Sequence, residues 1–325
     1  MSDLWLQFIL TLDATLRVAT PLIFCSMAGI FSERSGIIDI SLEGKMLMSA
    51  FVAATFVSLF GSPIIGLISA IIASVFLSLI HGFACISNKG NQVVSGLAIN
   101  ILASGLTVTV GFAIFARGGQ TPFLSADQRF QSINLPFVEI FEKIPLFGVI
   151  YKEIFSGHNF FVWLCFFVVI LTYYIIYKTK FGLRIRAVGE KPEALDTAGV
   201  SVILLRYQSV VIAGILCGIA GAYLSIGHGA GFVRDMTAGK GYIALAAMIF
   251  GNWKPMNAMI ACLLFGFLDA LAARLQGIIL PIIGEVPTDL ILVLPYLVTV
   301  ILLAGFIGKS TPPSAIGIPY NKESR

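Results

Sequence analysis

Hydrophobic and polar positions alternate along this chain on the scale of whole membrane spans. Apolar runs of about 17–25 residues recur, each long enough to cross a hydrocarbon layer of roughly 30 Å at about 1.5 Å per residue. Hydropathy read against glycine, proline and charge predicts spans near residues 7–31, 42–60, 63–86, 93–116, 158–177, 207–227, 241–252, 257–276 and 289–308. The seventh is too short to span comfortably, so it is either a half-helix or part of the irregular Gly-rich stretch before it. The expectation is an all-α polytopic transmembrane bundle of about eight to ten crossings, with broken or re-entrant helices, forming one domain over residues 1–325.

Composition strengthens this reading. Hydrophobic residues make up 58% of the chain and charged residues 12%, against roughly 45–50% and roughly 25% in soluble domains. The stretch before the first apolar run carries Asp3 and no basic region, so a removable signal peptide is not expected. Cys25, Cys85, Cys165, Cys217 and Cys262 fall singly inside apolar runs, which favours buried small apolar residues over disulfides or metal ligands. The net charge of +4 forms no basic stripe, and nucleic acid is not an expected partner.

Lys and Arg flanking membrane spans stay on the cytoplasmic side. If the loop with Lys178, Lys180, Arg184, Arg186, Lys191 and Arg206 is inside, alternation also puts Arg34, Lys45, Lys89, Lys254, Lys309, Lys322 and Arg325 inside. Arg117, Arg129, Lys143, Lys152, Arg234 and Lys240 remain outside. That asymmetry of roughly two to one places the tail, residues 309–325, in the cytoplasm. With nine crossings the N-terminus lies outside; an even count moves it inside.

Residues 117–157 form a long external loop with amphipathic stretches such as Leu135 to Phe147, suited to a lid or docking surface. Residues 178–206 form the most charged part of the chain. There Pro192 suits a first helical position, Glu193 favours the positive helix N-terminus and Gly199 is placed to end the helix. About two helical turns result, too short to stand alone in water. A partner surface or the ends of the membrane helices must hold them.

The segment Arg186 to Gly199, with Gly189, Glu190, Pro192, Glu193 and Leu195, resembles the cytoplasmic coupling loop of permeases in the ribose and nucleoside group of ABC importers. Ala19 to Met48, Asn91 to Thr107 and Phe265 to Gln276 share the resemblance. Asp39 departs from it, since nucleoside-type relatives would be expected to carry Asn there. The resemblance implies no cofactor in the chain itself. It implies as partners a second permease chain, a cytoplasmic ABC ATPase and an extracytoplasmic substrate-binding lipoprotein, with the permease in the bacterial inner membrane.

No motor is expected in this chain. In Thr237 to Tyr242 a Gly-Lys pair occurs, but Arg234 stands where the first P-loop glycine belongs and Gly241 replaces the Ser or Thr. His81, His158 and His228 lie far apart in no metal-binding or catalytic pattern.

A charge near the bilayer centre costs at least about 2.5–3.5 kcal/mol on insertion scales, so ionisable residues within spans face a cavity or a partner. Asp39 and Glu43 would share one face if Ser35 to Gly44 is helical, either lining a path or marking the membrane edge. Gly96, Asn100, Ser104, Thr107 and Gly111 stack along one face that either packs or borders a solute path. Gly214, Gly218, Gly221 and Ser225 form a small-residue seam expected to pack. Asp269 and Gln276 share a face further along. Hydrogen-bonding groups without dense charge favour a neutral solute such as a nucleoside or simple sugar. The competing reading is an ion-coupled secondary transporter with Asp39, Glu43 or Asp269 as proton relay.

Overall fold

The computed structural model describes residues 3–135, 147–275 and 310–322, with short pieces at 279–280, 284–285, 293 and 297. Its helices are α1 (Asp3–Arg34), α2 (Leu42–Phe60), α3 (Pro63–Gly82, continued by a π turn over Phe83–Ser87), α4 (Gln92–Phe115) and α5 (Phe160–Lys178). Two short helices follow, α6 (Lys180–Glu190) and α7 (Pro192–Thr197). Then come α8 (Val202–Ala222, continued by a π turn over Tyr223–His228), α9 (Lys240–Phe250) and α10 (Pro255–Leu275). Among the described residues, seven helices are long and apolar enough to cross a membrane: α1 to α5, α8 and α10, α8 with its π turn. The chain is a polytopic helical bundle. Apart from residues 293 and 297, the expected span at 289–308 lies outside the described residues.

Local chemistry sets these boundaries. Gly61 adopts a left-handed φ of 73° and closes α2 with its amide on Val57 O, after which Pro63 opens α3 at a position where no amide is needed. Asn91 caps α4 by accepting from the amides of Val93 and Val94, at 3.0 and 3.1 Å. Thr179 caps α6 in the same way through Gly182 N at 3.1 Å. The run Lys180–Glu190 is therefore helical, where only the turns after Pro192 carried a helix signal in the sequence.

The core is built around α1, which packs on α10, α8, α9 and α5. Pro21 sits inside α1 and has no N–H, so it leaves the Arg17 carbonyl without its helical partner. Tyr223 supplies the missing donor, its hydroxyl bonding Arg17 O at 3.0 Å from a side chain that is 1% exposed. The small-residue seam does pack. Gly214 and Gly218 lie against the backbone of Val75 and Ile71 on α3, and Gly221 against Met46 and Ser49 on α2. All five cysteines are free and buried.

The two ends of the bundle differ. At one end the chain leaving α4 runs beside the chain leaving α8, with Thr121 N on Phe232 O at 3.1 Å and Leu124 N on Ala230 O at 3.0 Å. Ser132–Ile133 pairs antiparallel with His158–Asn159 at that end. Residues 136–146 of the loop expected to be external lie outside the described residues. At the other end the last turn of α1, α6, the start of α8 and residues 311–321 come together.

Candidate functional site: a cavity between two helix starts

Between α1 and α2 the chain stops being helical. Residues 35–41 are turn and coil, so Asp39 and Glu43 do not share one helical face as a continuous helix would require. The break exposes backbone groups that lipid cannot satisfy, and several are met from neighbouring elements. Ile38 N donates to Gln92 Oε1 at 2.7 Å. Ile38 O lies 3.0 Å from His81 Nε2, which must donate because a carbonyl only accepts. His81 Nδ1 lies 3.0 Å from Ser95 Oγ. Ser35 O accepts from Arg206 Nε at 3.2 Å and Gly36 O from Gly317 N at 3.0 Å.

Asp39 turns into this packed region. Its Oδ2 meets Lys45 Nζ at 2.6 Å, its Oδ1 accepts from Ser41, and neither member of the ion pair is exposed. Lys45, one of the cations that alternation assigns to the cytoplasmic side, is wholly buried.

Asn100 secures the start of α2 from α4. Its Oδ1 accepts from Gly44 N at 2.8 Å, an orphan amide of the first helical turn. Its Nδ2 donates to Ile40 O at 3.0 Å and to Tyr242 Oη at 2.8 Å. This requires close backbone approach, since a Cβ on Gly44 would lie 2.8 Å from Asn100 Cα.

The second helix start is α9, whose 11 residues span about 16 Å, roughly half the hydrocarbon thickness. It is the half-helix allowed by the short run at 241–252. Glu43 caps it across the break: Oε1 accepts from Gly239 N at 2.9 Å and Oε2 from Gly241 N at 2.6 Å. A carboxylate suits the positive end of a helix dipole.

A cavity of about 330 Å³ opens at this junction, lined by Glu43, Gly44, Leu47, Asn100, Ile101, Ser104, Asp235, Thr237, Ala238, Gly239 and Tyr242. Among the described residues its lining contains two carboxylates and no Lys, Arg or His. Glu43, Asn100 and Ser104 of the expected path thus come together. Thr107, 1% exposed, donates to Ser104 O at 3.0 Å below them. Asp269 is exposed on α10 and takes no part in this cavity, and Gln276 lies outside the described residues. Tyr242 and Asp235 were not anticipated. They follow a Gly-rich stretch with no helical periodicity, and the only sequence signal was an isolated Asp just ahead of an apolar run too short to span.

The charged loop forms α6 and α7 at the end that also holds the tail. Arg186 lies 5.1 Å from the Tyr177 ring centroid, and a side chain on Gly189 would run into the Arg34 carbonyl. Glu190 accepts from Ser314 Oγ at 2.8 Å and Gly189 O from Ala315 N at 2.8 Å. Pro192 is buried and Leu195 half-buried, while Glu193 and Thr197 are exposed. Gly199, at φ +80°, closes α7 with its amide on Asp196 O at 3.0 Å.

The chain is similar over nearly its whole length to known transport proteins. It is 39% identical to the guanosine ABC transporter permease protein NupQ of Bacillus subtilis, covering 96% of each chain. It is 37% identical to the nucleoside ABC transporter permease protein NupC of Lactococcus lactis subsp. cremoris, covering 94% of each. The putative glucose ABC transporter permease protein TsgC13 of Haloferax volcanii is 32% identical over 96% of this chain and 97% of that one. No solved structure matches the chain. Residues 11–303 match the family described as branched-chain amino acid transport system / permease component, and the chain belongs to that family of membrane permeases.

Proposed function

We propose that this chain is the membrane-spanning subunit of an ATP-driven importer, and that its solute is a nucleoside. The cavity carries the substrate reading: it is acidic, lacks a lining cation and offers hydrogen-bonding groups at the start of a half-helix. Such a lining accepts hydrogen bonds from neutral hydroxyl or amine groups. Its volume falls within the roughly 300–1,000 Å³ of small-molecule sites. The similarity to guanosine and nucleoside permeases supports the same solute class.

In this reading Asn100, Ser104 and Glu43 shape the path. A second permease, of the same or a different chain, completes it against the exposed apolar face of α4. An extracytoplasmic binding lipoprotein delivers the solute at the end carrying the external loop, and a cytoplasmic ABC ATPase engages α6 and α7 in the bacterial inner membrane. The competing proton relay has less support. Asp39 is held by Lys45, and both oxygens of Glu43 are held by backbone amides.

The test is uptake of labelled guanosine by vesicles containing the chain with its co-purified partners. ATP-dependent uptake that survives collapse of the proton gradient is expected. Uptake by the isolated chain, driven by the gradient without nucleotide, would overturn the proposal.

A further inference from the structure

The polar groups of the cavity are unequally exposed. Glu43 gives both oxygens to the amides of α9. Asn100 gives both its hydrogens to Ile40 O and Tyr242 Oη, and its oxygen to Gly44 N. These two residues are scaffold. Ser104 gives its hydrogen to Asp235 Oδ1 at 3.2 Å.

Two other cavity groups are more exposed than Glu43 and Asn100. Tyr242 accepts from Asn100, so its own hydroxyl hydrogen is available, and its side chain is 43% exposed beside the cavity. Asp235 has an exposed carboxylate, with one oxygen near Ser104 and the other 3.3 Å from Arg234 Nε. Both oxygens retain lone pairs for further donors. The turn that presents Asp235 is well defined. Asp235 and Ala238 have φ of +52° and +46°, held by Met236 N on Val233 O, Ala238 N on Asp235 O and Lys240 N on Thr237 O.

We propose that Asp235 and Tyr242 are the specificity-determining residues of the path, Asp235 accepting from the 2′,3′-hydroxyl pair of a ribose while the Tyr242 ring stacks on the base. This rests on the nucleoside reading above. A carboxylate accepts two parallel hydrogen bonds from adjacent hydroxyls, which a lone hydroxyl or amide does less well. An aromatic face accommodates any base, so stacking fits a carrier of several nucleosides while the sugar is read closely.

The test compares uptake of guanosine and of 2′,3′-dideoxyguanosine by the whole complex, with wild-type chain and with Asp235→Asn. The binding protein contributes equally to both complexes, so the change in the ratio reports the permease. Asp235→Asn is expected to narrow the preference for guanosine about tenfold, the loss of charge-assisted hydrogen bonding. Tyr242→Leu should slow both substrates together, and Tyr242→Phe, which keeps the ring, should transport better than Tyr242→Leu. An unchanged ratio in Asp235→Asn with intact guanosine uptake overturns the assignment alone. Failure of the wild-type complex to move either compound overturns the nucleoside reading with it. Retained ATPase binding by Asp235→Asn separates loss of recognition from loss of assembly.

Discussion

Lys45 Nζ stands 2.6 Å from Asp39 Oδ2, with neither side chain exposed. Asp39 belongs to the irregular segment and Lys45 to the first turns of α2, so the pair ties the break to the helix it leads into. The pair also explains how the segment tolerates a carboxylate within an apolar bundle.

Lys45→Met should therefore destabilise strongly, by about 3–5 kcal/mol, because it leaves Asp39 buried without its counter-ion. Removing both charges in Asp39→Asn with Lys45→Met should cost less than the two single changes combined. Thermal denaturation of the solubilised complex reads this directly. A Lys45→Met protein as stable as wild type would show that the pair does not hold the break.

Glu43 is expected to matter through α9. Glu43→Gln keeps the shape but turns one oxygen into a donor facing an amide, forfeiting about 1.5–3 kcal/mol per charge-assisted bond. Uptake should fall at least about tenfold while the ATPase remains bound, because α6 and α7 lie at the far end of α9 from this cap. Normal uptake in this variant would mean that the start of α9 needs no carboxylate.

The Tyr223 hydroxyl serves a carbonyl orphaned by Pro21, so the two residues should be energetically coupled. Tyr223→Phe is expected to cost about 1–3 kcal/mol by leaving the buried Arg17 carbonyl unsatisfied. In a Pro21→Ala background the restored amide can serve that carbonyl, and Tyr223→Phe should then cost much less. A double-mutant cycle on thermal stability measures the difference, and strict additivity would refute the coupling.

Span length and hydropathy made most of the bundle legible. The half-helix α9 could be anticipated because 241–252 is too short to cross. The pairing of Lys45 was not legible, because a lysine a few residues inside an apolar run looks the same whether it faces the membrane edge or turns inward to a carboxylate. The helix α6 was hidden by its charge, since hydropathy marks spans and says nothing of helices lying across their ends. On the face Gly96, Asn100, Ser104, Thr107 and Gly111, the structure places Gly96 against Ile40 and Gly111 against Phe51, and Asn100 and Ser104 at the cavity. Only the fold shows that Asn100 bonds Gly44, Ile40 and Tyr242, and that Asp235, from a turn with no periodic pattern, and Tyr242, from the first turn of α9, stand beside it at the cavity.

A chain of contacts leads from the charged loop to the cavity. Glu190 and Gly189 at the end of α6 hold Ser314 and Ala315 of the tail. Gly317 N bonds Gly36 O, and Arg206 bridges Ser35 O and Ile318 O, each at 3.2 Å. From Gly36 the irregular segment runs directly to Ile40, which Asn100 holds at the cavity. Under the proposed docking of an ATPase on α6 and α7, these contacts offer a route from α6 through the tail to the start of α2, and Glu193 and Thr197 are exposed on α7. Two kinds of variant should separate these roles. Glu193→Lys with Thr197→Trp should detach the ATPase from an otherwise folded chain. Glu190→Ala with Ser314→Ala should keep the ATPase bound and hydrolysing ATP while uptake per ATP falls at least about threefold, since two polar contacts of about 0.5–1.5 kcal/mol each are lost from the route. Unchanged uptake per ATP in the second variant would show that the tail does not carry the motion.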